Sequence, residues 1–244
     1  MKPFSLSRAG RSTRRIALVL PVWLGGFAAS AQLGSFNGAV FPNLTVPDNS
    51  AVGVVSDLEV SGLTMPIASV QVHVSISAAG TDPMFNGDLY VVLSHGTDQA
   101  ILLNRVGRRE GSLAGYADSG FEVTFSDSAA ADVHDYRLTL NGSHSIPLSS
   151  TDTPAALTGT WQPDGRNVDP QSVTSTTIRT SSLSGFDSQD ANGTWSLYLV
   201  DLSPGGQAKL NSWSLDIIAV PEPLETGLIV AGALTLWSVG RKRR

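Results

Sequence analysis

Residues 69–77 read Ser-Val-Gln-Val-His-Val-Ser-Ile-Ser. Val70, Val72, Val74 and Ile76 fall on one side of an extended chain and Gln71, His73, Ser75 and Ser77 on the other. This is the period-2 pattern of a strand with one buried face. Leu89, Val91 and Leu93 repeat it after a turn at Asn86-Gly87-Asp88, and Phe121, Val123 and Phe125 repeat it after the Gly-rich loop 107–120. Trp195, Leu197 and Leu199 alternate with Ser196, Tyr198 and Val200, as do Trp213, Leu215 and Ile217 with Ser212, Ser214 and Asp216. Helical periodicity is nearly absent. Short strands between Gly, Pro, Asn and Asp clusters point to a sandwich rather than an α/β fold. An apolar strand face needs a second sheet to cover it. The expected class is therefore all-β: a two-sheet antiparallel β-sandwich of jelly-roll type, with a helix expected in each terminal segment.

Two segments carry more specific expectations. Ser126–Thr153 reads as a long connection with a strand at Tyr136–Leu140 in one hairpin. Leu202–Gln207, containing Ser203-Pro204-Gly205-Gly206, is short enough to fold the Trp195 and Trp213 strands into a hairpin. Both indoles read as core rather than as a ligand platform, with a cost of about 3–5 kcal/mol expected for Trp213→Ala.

The charge is unevenly distributed. The net charge is −5 over 244 residues. Residues 1–31 carry Lys2, Arg8, Arg11, Arg14 and Arg15 and no acid, whereas residues 32–220 carry 7 basic against 19 acidic side chains. An acidic body repels phosphate backbones, which argues against a nucleic-acid partner. No cysteine is present, which excludes disulfides, thiol nucleophiles and Cys-based metal sites.

Both ends read as addresses. Arg14-Arg15, the apolar run Ile16–Ala28 and the triplet Ala29-Ser30-Ala31 follow the order of a secretory signal peptide, with cleavage after Ala31. A buried N-terminal helix is the alternative. At the other end, Val220-Pro221-Glu222-Pro223 precedes a mostly apolar run to Gly240 and the cluster Arg241-Lys242-Arg243-Arg244. Basic residues stay on the cytoplasmic side, so the segment reads as a stop-transfer tail giving transient inner-membrane anchorage. This tail resembles the PEP-CTERM sorting signal of Gram-negative bacteria. The resemblance implies a signal peptidase and an exosortase-type enzyme as processing partners, export to the cell surface or extracellular space, and a setting in extracellular polysaccharide. A simple C-terminal anchor remains the alternative.

Four blocks of the body resemble the P domain (P/Homo B domain) of the proprotein convertases. They are Gly87-Asp88-Leu89 with Leu93; Leu102-Leu103-Asn104-Arg105-Val106-Gly107; Gly159-Thr160-Trp161-Gln162-Pro163; and Gly193-Thr194-Trp195-Ser196-Leu197 with Asp201 and Leu210-Asn211-Ser212-Trp213-Ser214-Leu215. The resemblance runs from about Ala51 to Ile218. With the two terminal readings, the chain divides into a signal peptide at 1–31, a lead segment at 32–50, the sandwich at 51–218 and the sorting tail at 219–244. The chain departs from the family in the longer loop 78–85 and the insertion 132–153. P domains usually lie beside a subtilisin-like protease domain, and the motifs of that neighbour are missing here. The resemblance thus implies a non-catalytic module with an interaction or structural role, or an accessory to a separately encoded protease acting in trans.

Chemistry has few places to reside. Ser94-His95-Gly96-Thr97 contains a His-Gly-Thr triplet but reads as the turn after the Leu89–Leu93 strand. The four histidines show no metal-ligand spacing. Calcium suits the oxygen-rich loops better. Asp187, Asp190 and Asn192 lie in one loop, with Asp88 and Asp201 at strand ends as further candidate Ca²⁺ ligands. The spacing is not that of an EF-hand, and an Asx-type turn is the alternative.

Overall fold

The computed structural model describes residues 34–148 and 155–220. The signal segment with Ala29 and Ala31, and the tail from Pro221 to Arg244, lie outside the described residues.

Ten strands form two sheets. The first holds β1 (Gly34–Val40), β10 (Ala208–Ala219), β4 (Ile67–Ala78), β7 (Phe121–Phe125) and β8 (Leu157–Trp161) in that order, with the two-residue β2 (Leu44–Thr45) also pairing β10. The second runs β3 (Ser50–Val60), β9 (Gly193–Asp201), β5 (Leu89–His95), β6 (Asp98–Asn104). All pairs are antiparallel except β7–β8. The sandwich expected from the alternation is what the chain forms.

The alternation places side chains as it should. Val70, Val72, Val74 and Ile76 of β4 are buried, as are Leu89, Val91 and Leu93 of β5 and Leu197 and Leu199 of β9. Trp195 and Trp213 are both fully buried. The β4–β10 register shifts between Leu210 and Ser212, a bulge at Asn211 that returns Trp213 to the inner face. At roughly 25 cal/mol per Å², burying side chains of this size on two facing sheets is the dominant favourable contribution to the fold.

Two expectations fail. The Trp195 and Trp213 strands do not pair as a hairpin: β9 belongs to one sheet and β10 to the other. Leu202–Gln207 instead crosses between the layers, helped by the positive φ of Gly205 (114°) and Gly206 (84°). Tyr136–Leu140 is not a strand either. Tyr136–Asn141 is a short helix, α1, ended by Gly142 at φ 68° with its N–H on the Leu138 carbonyl at 2.9 Å. Helical spacing lets α1 bury Tyr136 and Arg137 side by side.

Candidate functional site

The five candidate calcium ligands do not converge. Asp190 and Asn192 precede β9 and Asp201 ends it; nine extended residues separate the two groups by roughly 25 Å. At the near end, Asn192 is consumed locally. Its Oδ1 accepts from the Leu63 N–H at 3.1 Å, and its Nδ2 donates to the Leu63 carbonyl at 2.6 Å and to Asp190 Oδ1 at 2.7 Å. Asp190 Oδ1 also accepts from the Asn192 N–H, and these bonds hold its pKa below the usual carboxylate range. This is an Asx turn that locks the β9 entry. Asp187 stands apart, raised by burial and by Asp127, whose own oxygens accept from the Leu183 and Ser184 N–H groups.

The far end of β9 is different. Leu89 pairs with Asp201, so Asp88 lies just outside the last rung of the β5–β9 ladder, its carbonyl accepting from the Leu202 N–H at 2.9 Å. The Asp88 backbone belongs to a buried 3-10 turn, Asn86–Asp88. Asn86 holds that turn by accepting from the Gly120 N–H at 2.7 Å and donating to the Gly120 carbonyl at 3.1 Å. Burial raises the pKa of Asp88, against a hydrogen bond from Ser203 and the charge of Arg105. Asp201 is wholly buried, and that burial, with Asp88 and Asp48 nearby, pushes its carboxyl up to about 6. Arg105, at a left-handed φ of 50°, donates to the Gly87 carbonyl at 3.2 Å and to the Ser203 hydroxyl, while its charge stays 3.7 Å from Asp88. A cleft of about 290 Å³ opens onto Asp88 and Ser203, walled by Phe85, Gly115, Tyr116 and Pro204.

Two further clusters went unread in the sequence because their members are far apart along the chain. Arg166 is wholly buried and bonds Asp132, Asp164 and the Thr177 carbonyl. His134 donates to Asp164 at 2.7 Å and meets the Arg108 carbonyl at 3.1 Å, and Arg179 reaches Asp132 at 2.8 Å. Around α1, Asp118 accepts from Tyr136 and from Arg137, each at 2.6 Å. Both clusters clamp loops onto the sandwich edge.

The histidines have the following placements. His95 is the last residue of β5 rather than part of the turn, which is Gly96-Thr97 alone. Its ring stacks on Trp195 at 4.3 Å, and its nitrogens meet the Thr194 and Asp190 carbonyls at 3.0 and 2.9 Å. His134 likewise has both nitrogens against oxygen acceptors, the Asp164 carboxylate and the Arg108 carbonyl. His144 meets the Tyr116 hydroxyl at 2.6 Å. His73 lies between Thr124 (3.3 Å) and Glu122 (2.8 Å), an order that mimics a hydrolytic triad. It sits on the open face of β4 and β7, both flanked by strands on each side, so their backbone N–H groups are committed to ladders and not grouped as oxyanion donors.

The fold defines the class, a two-sheet β-sandwich. No family model matches the chain, and no curated protein matches it. Among solved structures it is similar to a chain in the crystal structure of the Aeromonas sobria serine protease (ASP) and chaperone (ORF2) complex, at 15% identity and a TM-score of 0.41. The alignment covers 78% of this chain and 28% of that one, so the chain spans little more than a quarter of the protein it resembles.

Proposed function

We propose that this protein is a non-catalytic, exported β-sandwich module of the P/Homo B type, carried to the cell surface or extracellular matrix by its PEP-CTERM-like tail. The observation that supports this most directly is the use made of the resembling motif residues. Trp195 and Trp213 fill the core, and Asp88, Arg105 and Asp201 gather where β5 begins and β6 and β9 end. In this reading these residues serve the sandwich rather than an active site. All four histidines are engaged in the contacts just described, and the Thr124–His73–Glu122 order lies on the face of β4 and β7, strands whose backbones pair in ladders on both sides. Signal peptidase and an exosortase-type enzyme are the processing partners in this reading, and extracellular polysaccharide is its setting.

The P/Homo B resemblance also favours a second reading, in which the module stabilises a separately encoded subtilisin-like protease in trans. One experiment separates the two. Purified protein incubated with a broad peptide library yields no cleavage in either reading, whereas addition to a subtilisin-like protease encoded beside it slows that protease's thermal inactivation only in the second. Cleavage of the library by the protein alone overturns both.

A further inference from the structure

We propose that the Asp88–Asp201 pair at the far end of β9 is a divalent-cation site, with Ca²⁺ the fitting ion. The inference rests on the geometry of that corner and does not depend on the P-domain reading. Asp201 is wholly buried, and its Oδ1 accepts a long 3.4 Å bond from the Ser203 N–H while its Oδ2 has no partner at all. A buried carboxylate oxygen without a donor is costly and uncommon. Arg105 is the guanidinium at hand, yet it leaves the need unmet: its N–H groups go to the Gly87 carbonyl and the Ser203 hydroxyl, and 3.7 Å to Asp88 is beyond hydrogen-bond range.

The surrounding charges point the same way. Asp48 raises the carboxyls of both Asp88 and Asp201, and Asp88 raises that of Asp201, while the charges of Arg105, 3.7 Å from Asp88, and Arg108 pull Asp88 down. Exposed Asp48 accepts from the Gly205 N–H at 3.2 Å, on the same linker that carries Ser203. No three acidic or imidazole side chains converge on one point among the described residues. The ion is therefore held by the two buried carboxylates and the Ser203 hydroxyl, with Asp48 drawn in from the loop between β2 and β3 and water reaching it through the cleft beside Phe85 and Pro204. A mixed, flexible oxygen set of this kind suits Ca²⁺, which takes six to eight oxygens, better than Mg²⁺, which demands a rigid octahedron.

The test is the melting temperature of the full chain, stripped with EDTA and then titrated with CaCl₂. An ion that binds only the folded form raises the midpoint by roughly 5–10 °C at a 100-fold excess over its Kd. Asp201→Asn raises the midpoint in EDTA and abolishes the calcium shift, whereas Asp190→Asn, at the other end of β9, keeps the shift. Should Asp201→Asn fail to fold, Asp48→Asn, on the exposed loop between β2 and β3, weakens Ca²⁺ by roughly tenfold in isothermal titration, since ligand charge sets affinity. A wild-type midpoint unmoved up to about 10 mM Ca²⁺, beyond the affinity range of extracellular modules, overturns the site. So does an undiminished shift in a folded Asp201→Asn variant or an unchanged affinity in Asp48→Asn.

Discussion

The indole nitrogen of Trp213, on β10 of one sheet, donates a 2.9 Å hydrogen bond to the hydroxyl of Ser56, on β3 of the other. One side chain thus fills the core and ties the layers polar group to polar group. Trp213→Ala empties a fully buried site and should cost about 3–5 kcal/mol. Trp213→Phe keeps most of the volume but strands the buried Ser56 hydroxyl, for about 1–3 kcal/mol. Urea denaturation of both variants, with Ser56→Ala as the partner in a double-mutant cycle, checks the split. A Trp213→Phe cost that persists undiminished in the Ser56→Ala background would show the bond to be unimportant.

Gly87 has a steric role. A Cβ there would lie 2.3 Å from the Ala114 carbonyl and 2.7 Å from the Tyr116 nitrogen, both backbone atoms that cannot swing away. Gly87→Ala should therefore destabilise by about 1–3 kcal/mol, as overpacking does. Gly185, where nothing lies within 4 Å of an added Cβ, accepts alanine almost silently, and comparing the two by thermal melting isolates the clash.

Asp201 makes stability fall as pH rises. Its folded carboxyl titrates at about 6, above an unfolded value near 3.9, so the folded state holds more protons between them. Its contribution is fully present below about pH 4 and is lost as pH rises through 6, on the order of 2 kcal/mol. Denaturation midpoints measured in EDTA from pH 4 to 8 should show this decline, and Asp201→Asn should flatten it. A wild-type slope unchanged in that variant would assign the decline elsewhere.

His134 adds to the same trend at higher pH. Burial lowers its pKa, but the Asp164 hydrogen bond and charge outweigh this and leave it raised. Its stabilisation is complete below the unfolded value near 6.5 and disappears as pH rises through the folded one. Asp132 has the opposite sign: burial raises it, but Arg166 holds it below the usual range, so its contribution is lost on acidification. Removing the charge at Asp164 leaves Arg166 and His134 underpaired in the interior. Asp164→Asn should cost about 3–5 kcal/mol, read by chemical denaturation at pH 7.

The strands were legible because burial on one face imposes period 2, and residues 69–77 alone indicate it. Their partners were less so. The six-residue linker 202–207 is compatible with a hairpin or with a crossing between layers, and only the packing of Trp195 and Trp213 against opposite sides of one core decides. Tyr136, Leu138 and Leu140 alternate as a strand would, yet Leu138 and Leu140 are exposed while Tyr136 and Arg137 turn inward to Asp118. The candidate ligands joined one loop, Asp187–Asn192, to the strand ends at Asp88 and Asp201, but β9 runs between Asn192 and Asp201 and holds the two groups apart at roughly 3.3 Å per residue. The Arg166 cluster joins positions 132, 134, 164 and 179, a pairing that no local pattern records.

The proposed function makes this protein a non-catalytic sandwich addressed at both ends, and the decisive measurement is the intact mass of the protein recovered from the outside of an exosortase-bearing Gram-negative host. The expected species begins at Gln32 and lacks the cluster Arg241-Lys242-Arg243-Arg244. A recovered form that retains Met1 or ends at Arg244 would contradict it.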